Sequence, residues 1–200
     1  MLKKRIFDIM LSLFVLILLI PLLLVLTAFI VVSSGRPALY RGWRAGKNGV
    51  PFQIIKLRSM VANAEKQGGA ETPSDDIRIT EFGRLLRRYK LDELPQFFNV
   101  LIGDMSIVGP RPEVIEEVRK YGSTERKLLT VRPGITDWAS IQFRHEDEML
   151  RGAANPHEEY HKIIQPQKIS LGLKYTRERS MKTDFFIIAK TVSAIFTDYK

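Results

Sequence analysis

The sequence contains no cysteine. That excludes a disulfide framework and any metal site built on thiolates, and it suits a reducing compartment. Neither G-x-x-x-x-G-K-[ST] nor G-x-G-x-x-G occurs in it, so it is neither a P-loop enzyme nor a dinucleotide-binding protein. There is no internal repeat and no low-complexity tract. Acid is scarce at one end. Up to residue 60 nine cations face a single carboxylate, Asp8, while the other 140 residues hold 22 cations and 21 acids. The net charge of +9 therefore lies beside the N-terminal segment. A nucleic-acid binder would carry its basic stripe on the folded body, so no nucleic-acid partner is expected. Cations beside an apolar segment point to anionic membrane lipids.

What is present first is length without charge. Ile9 to Val32 is a run of 24 residues with no ionisable side chain. As a straight helix it would reach about 36 Å, enough for a hydrocarbon core of about 30 Å. The run is too long for a cleaved signal peptide and no small-x-small site follows it. Pro21 sits near its middle, where it removes a backbone hydrogen bond. Lys3, Lys4 and Arg5 precede the run, and Arg36, Arg41 and Arg44 follow it. Positive flanks favour the cytoplasmic side. Two arrangements satisfy these features: a kinked span, and a helix–break–helix that enters and leaves by one face. The second calls for a sharp kink, since irregular backbone at depth is tolerated only where something covers it.

Turn signals at Gly35, Pro37, Gly46 and Asn48-Gly49, followed by the alternating F-Q-I-I-K-L-R, predict a small hairpin about Asn48-Gly49. Ala62 to Asp76 reads as a polar loop. Phe82, Leu85, Leu86 and Tyr89 recur at helical spacing, as do Leu91, Leu94, Phe98 and Leu101. Phe185, Ile188, Val192 and Ile195 form a further stripe near the end. The fold class expected is mainly α (α+β). An anchor over residues 1–35 carries a catalytic domain over 36–200, with short amphipathic helices in the interface plane.

The chemistry is concentrated in K-L-D-E-L-P-Q-F-F-N-V-L-I-G-D-M-S-I-V-G-P-R-P, residues 90–112. Asp92 and Glu93 are adjacent, so on a helix they point about 100° apart and do not form a proton-sharing pair. Pro95 predicts a helix start near Asp92. An acidic N-cap is the plain explanation for such a pair. Its surroundings argue for more. Arg84, Arg87, Arg88 and Lys90 precede it, Arg111 follows between Pro110 and Pro112, and Arg132-Pro133-Gly134 adds another arginine at a turn. A guanidinium can fork onto phosphate, one carboxylate can take a phosphoryl group, and its neighbour can hold Mg²⁺.

These stretches resemble the bacterial sugar transferases, the small monotopic phosphoglycosyl transferases. K-R-I-F-D-I, F-Q-I-I-K-L-R-S-M, the central block and V-R-P-G-I-T-D-W-A-S carry the resemblance in order to about residue 141. It implies transfer of a sugar 1-phosphate from a UDP-sugar to undecaprenyl phosphate with Mg²⁺, releasing UMP. It implies a re-entrant anchor broken at Pro21, on the cytoplasmic face of a bacterial inner membrane, at the first membrane step of exopolysaccharide or lipopolysaccharide assembly. By the same resemblance Asp92 is the nucleophile and Glu93 the metal-associated acid, with Asp92 also near the metal. Lys56, Arg58, Arg87, Arg111 and Arg132 are the substrate contacts, with Pro110 and Pro112 framing Arg111. An oligomer is compatible with all of this. Two departures stand out: Asp137 replaces the usual glycine before tryptophan, and Gly172 sits where some members carry an acid.

Two other readings compete. His157-Glu158-Glu159-Tyr160-His161 is a literal H-E-x-x-H, the zinc-protease pattern, with Glu178 the most obvious further ligand. A membrane-bound scaffold that only holds lipid head groups would explain the anchor and its charge.

Overall fold

The computed structural model describes residues 2–64, 67 and 72–197. Part of the polar loop expected over 62–76, including Gly68-Gly69, lies outside the described residues. The chain opens with one long helix, α1 (Leu2–Ser34), about 50 Å of it at 1.5 Å per residue. The helix continues through Pro21, so no loop interrupts it where a break was expected. It is long and apolar enough to cross a membrane. Phe14, Ile17, Leu18, Leu24 and Val25 stand exposed along its middle.

Both ends of α1 pack on the same body. At the first end Arg5 donates to the carbonyls of Val100 (2.6 Å) and Leu101 (2.9 Å), and the ring of Phe7 meets Phe185 edge-on at 4.9 Å. At the other, Leu26 and Ile30 are buried with Ala38, Leu57 and Leu86, and Phe29 stacks on Phe82 at 5.2 Å.

The expected hairpin is present. Strands β1 (Leu39–Ala45) and β2 (Pro51–Leu57) pair antiparallel across a turn in which Asn48 and Gly49 both take positive φ. Asparagine and glycine tolerate that region best, so this dipeptide fixes the register. Helix α2 (Glu81–Arg88) follows, and the Thr80 hydroxyl caps it by accepting from Gly83 N at 2.9 Å. Such a cap contributes about 1 kcal/mol.

The acidic pair does not open an α-helix as expected. Leu91–Glu93 form a 3-10 turn entered through Lys90 in the left-handed region, and α3 (Gln96–Ile102) begins only after Pro95 at its N-cap. Pro95 has no N–H to give, and its ring would clash with the carbonyl of Leu91 in a continuous α-helix. The tighter turn avoids that clash.

A second, parallel pair joins β3 (Ser106–Val108) to β4 (Gly134–Thr136). Here the backbones touch: a Cβ on Gly134 would lie 2.1 Å from Gly109 N. Glycine is therefore required where the two loops cross. Between the strands lie α4 (Ile115–Arg119) and a 3-10 segment, Glu125–Thr130. After them come α5 (Trp138–Gln142), α6 (Glu146–Met149), α7 (Pro156–Glu159), a π-turn (Tyr160–Ile164), α8 (Gln165–Glu178) and α9 (Met181–Thr197). Phe52, Ile54, Val100, Met105, Ile107, Val108, Tyr175 and Ile187 form the main core.

The stripe expected on α9 is not its inward face. Asp184 and Ile187 are buried, Ile188 packs beside them, and Phe185 and Val192 stay about half exposed. Periodicity marks an apolar face without saying whether lipid or protein meets it.

Four elements, α1, β3, α8 and α9, are tied by buried polar groups. Asp8 of α1 accepts from Ser106 Oγ (2.7 Å) and Ile107 N (3.3 Å). Tyr175 of α8 donates to Val108 O (3.0 Å) and Asp184 (2.8 Å), and Asp184 meets Lys4 at 2.6 Å.

Candidate active site

The 3-10 turn delivers the two carboxylates into different surroundings. Glu93 is clamped: Lys56 Nζ from β2 lies 2.8 Å from its Oε1, and Arg111 Nη2 lies 2.7 Å from the same oxygen. Burial opposes its charge, yet Arg111 and Lys56 outweigh that and hold the carboxyl well below the usual carboxylate range. Glu93 in turn pushes Arg111 up, deeper into its charged state.

Asp92 is 6% exposed, and its Oδ1 is buried without a hydrogen-bond partner among the described residues. Burial pushes its carboxyl up; Lys56 and Arg87 pull it down, and Glu93 pushes the same way as burial. One carboxylate is thus fixed as an anion, and the other is dry, unengaged and flanked by cations. An unsolvated carboxylate oxygen with no partner is available to a phosphorus atom or a metal ion.

The supporting elements explain how the cations arrive. Lys56 rides on β2, and Arg111 extends from the Gly109 crossing just after β3. Arg87 sits in the last turn of α2, where its Nε donates to Ser59 Oγ at 2.9 Å. Pro110 and Pro112 flank Arg111 and, with Tyr121, Leu128 and Val131, line a small cavity behind it. The structure thus brings Lys56, Arg87, Asp92, Glu93 and Arg111 together.

Two expected contacts are engaged elsewhere. Arg58 donates through Nη2 to the carbonyls of Ser34 (2.6 Å) and Gly35 (2.7 Å), closing the end of α1. Arg132 donates through Nε to Gly103 O (2.7 Å) at the far end of α3, beside Arg5.

The departures find local reasons. Asp137 caps α5, accepting from Ser140 N at 2.7 Å, and burial pushes its carboxyl up against that hydrogen bond. Its backbone is extended, so no glycine is needed there. At Gly172 a Cβ would meet Leu128 at 2.7 Å and Pro110 at 3.5 Å. A larger side chain there would bear on the segment that carries Arg111.

Sequence reasoning missed Asn99, whose side-chain amide bonds Ile55 N and Gln53 O beside Lys56, and Ser59, which accepts from Arg87. Asn99 was detectable as the lone amide among the apolar residues F-F-N-V-L-I; Ser59 carried no signal.

The zinc pattern does not assemble. The rings of His157 and His161 lie 4.2 Å apart, and His161 Nδ1 contacts Gln165 at 2.6 Å. Glu178 is at the opposite end of α8, about 25 Å along the helix. Among the described residues no three His, Asp or Glu side chains are grouped to hold a metal ion.

The Asp92–Glu93 pair fits a different ion. Mg²⁺ is bound through one or two carboxylates, with water and substrate phosphate completing the shell. The unpartnered Asp92 oxygen beside an anionic Glu93 meets that requirement.

Residues 1–198 match the family described as bacterial sugar transferase. Over 199 residues the chain is 35% identical to the UDP-glucose:undecaprenyl-phosphate glucose-1-phosphate transferase of Caulobacter vibrioides, covering 98% of this chain and 70% of that protein. It is 37% identical over 195 residues to the protein of that name from Escherichia coli strain K12, covering 96% of this chain and 39% of the relative. It is 34% identical over 199 residues to the UDP-N-acetylgalactosamine-undecaprenyl-phosphate N-acetylgalactosaminephosphotransferase of Aeromonas hydrophila, covering 98% and 44%. The chain therefore spans less than half the length of the latter two.

Proposed function

The chain belongs to the bacterial sugar transferases, a family of phosphoglycosyl transferases, and from that membership we propose that it moves a sugar 1-phosphate from a UDP-sugar to undecaprenyl phosphate. The observation that carries this reading is the buried, unpartnered oxygen of Asp92 beside a Glu93 clamped by Lys56 and Arg111.

Asp92 attacks the phosphorus next to the sugar, and the bond from that phosphorus to the bridging oxygen breaks. UMP leaves with the bond's electrons, and the phosphosugar remains on Asp92 as an acyl phosphate. A phosphate oxygen of the lipid then attacks the same phosphorus, Asp92 departs as carboxylate, and the lipid carries a diphosphate-linked sugar. Lys56 and Arg111 now neutralise Glu93. On donor binding they are free to turn to the diphosphate, since a phosphate oxygen offers a guanidinium the same bidentate match as a carboxylate. Arg87 holds charge beside Asp92. Arg132 stays on the Gly103 carbonyl at the far end of α3. Mg²⁺, held by Glu93 with Asp92, would supply charge neutralisation at the phosphates.

The membrane seat follows from α1. Both of its ends pack on one body and both flanks are cationic, which supports a re-entrant helix kinked about Pro21 on the cytoplasmic face. Because the chain has no cysteine, Leu2→Cys and Arg36→Cys can be labelled singly in intact cells with an impermeant maleimide. Equal protection of the two is expected, and opposite accessibility would mean a true span.

The reaction is tested by incubating the protein with Mg²⁺ and a panel of UDP-sugars, first without undecaprenyl phosphate. UMP release up to one equivalent per site is expected before acceptor is added. Release only in the presence of acceptor, with ternary-complex kinetics, would make Asp92 a general base instead.

A further inference from the structure

We propose that Asn99 is a positioning residue for this transfer: its side-chain amide stands in for a third strand on the free edge of β2 and so sets Lys56 against Glu93. Asn99 is fully buried in the middle of α3. Its Oδ1 accepts from Ile55 N at 2.9 Å, and its Nδ2 donates to Gln53 O at 2.8 Å, with Asp104 a weaker partner at 3.3 Å. In a strand the backbone groups of successive residues point to opposite edges, so residues two apart share one. Residues 53 and 55 therefore face away from β1, and among the described residues the sheet has only these two strands. One primary amide satisfies both groups as the peptide of a neighbouring strand would.

The placement has a consequence for the site. Lys56 is the residue after Ile55, and α3 begins three residues after Glu93. The short stretch from 93 to 99 thus carries both the carboxylate and the amide that registers the strand bearing its cation. An amide buried in an apolar helix is unfavourable unless each group is paired, and here both pair with the one strand whose position decides the 2.8 Å contact between Lys56 and Glu93.

The inference rests on the transfer reading for its kinetic arm and on geometry alone for the other. In full-length protein in nanodiscs, Asn99→Ser removes both bonds. It is expected to lower kcat/KM for UMP release by about 10- to 100-fold, the scale of a misplacement of about 1 Å. Lys56→Met should lose at least as much, and the double variant should lose no more than Lys56→Met alone, because both act through the placement of Lys56. If Asn99→Ser does not fold, Asn99→Asp, which keeps its shape and the acceptor for Ile55, is read in the same cycle. Additive losses, or a lower Tm with unchanged kinetics per folded molecule, would overturn the proposal. A second arm needs no substrate: zero-length carbodiimide coupling of Lys56 to Glu93, read by peptide mass spectrometry, should drop several-fold in Asn99→Ser. If wild type releases no UMP from any UDP-sugar, the transfer reading fails while the coupling yield still decides the placement. A yield that Asn99→Ser leaves unchanged sinks it.

Discussion

The two ends of α3 both collect arginine and both are partly buried, yet they use it differently. Before the helix, Arg111 and Lys56 meet the carboxylate of Glu93. After it, Arg5 and Arg132 meet the backbone carbonyls of Val100, Leu101 and Gly103. A carbonyl carries only the partial charge of a helix C-terminus, and its cation completes hydrogen bonds the helix leaves open. A carboxylate carries a full charge that a phosphate can replace in kind. The first end is built for exchange of partners and the second for permanence.

The sharpest way to break that contrast is at Asp92. Asp92→Asn keeps the shape and removes the attacking charge. Both the UMP burst and steady-state transfer should fall at least about 10³-fold, and a radiolabelled sugar-phosphate adduct should disappear. Retention of the adduct would move the chemistry to another residue. The wild-type pH profile bears on the same group. Attack needs the carboxylate, and burial pushes Asp92 up, so kcat/KM should decline on acidification at a pH above the ordinary aspartate value of about 3.9. Arg87 pulls Asp92 down; Arg87→Met should therefore shift this limb to higher pH.

Glu93→Gln should come next, at about 10²-fold in turnover, with a weaker dependence on Mg²⁺. Full Mg²⁺ response in this variant would remove Glu93 from the metal. Arg111→Lys keeps the charge and loses the fork, so a loss of about tenfold with nearly unchanged Tm is expected. Equal losses of activity and stability would make Arg111 a turn residue. At the other end, Arg5→Ala should lower stability by about 1–3 kcal/mol, since two partly buried carbonyls lose a charged donor. Activity per folded molecule should hold. A rise in KM with unchanged Tm would erase the distinction between the two ends.

How much of this was legible follows from which interactions are local. The hairpin was readable because Asn48-Gly49 writes its own turn, and α2 because Phe82 and Leu86 repeat at helical spacing. Asp92, Glu93, Lys56, Arg87 and Arg111 could be named from the resemblance, but their convergence could not, because it joins segments up to 55 positions apart. The parallel β3–β4 pair escaped for the same reason, with three residues per strand and a partner 28 positions away. The 3-10 turn at Asp92 stands where a helix start was expected, because Pro95 suits the start of α3 while its ring would clash with the Leu91 carbonyl in an α-helix running on from there. Arg58 and Arg132 carry the same residue type as Arg111, and only their partners separate them.

The bonds from Asp8 to Ser106 and Ile107 make α1 something other than a detachable tether. The long apolar helix also completes the edge of the strand leading to Arg111, so the expected anchor and the candidate site share one set of bonds. Trimming the apolar segment to obtain a soluble enzyme would leave β3 with two unmet polar groups and the base of α3 without Arg5. Modularity fails here at a single carboxylate. Handling this protein outside the bilayer means replacing the lipid around the helix and keeping the helix itself.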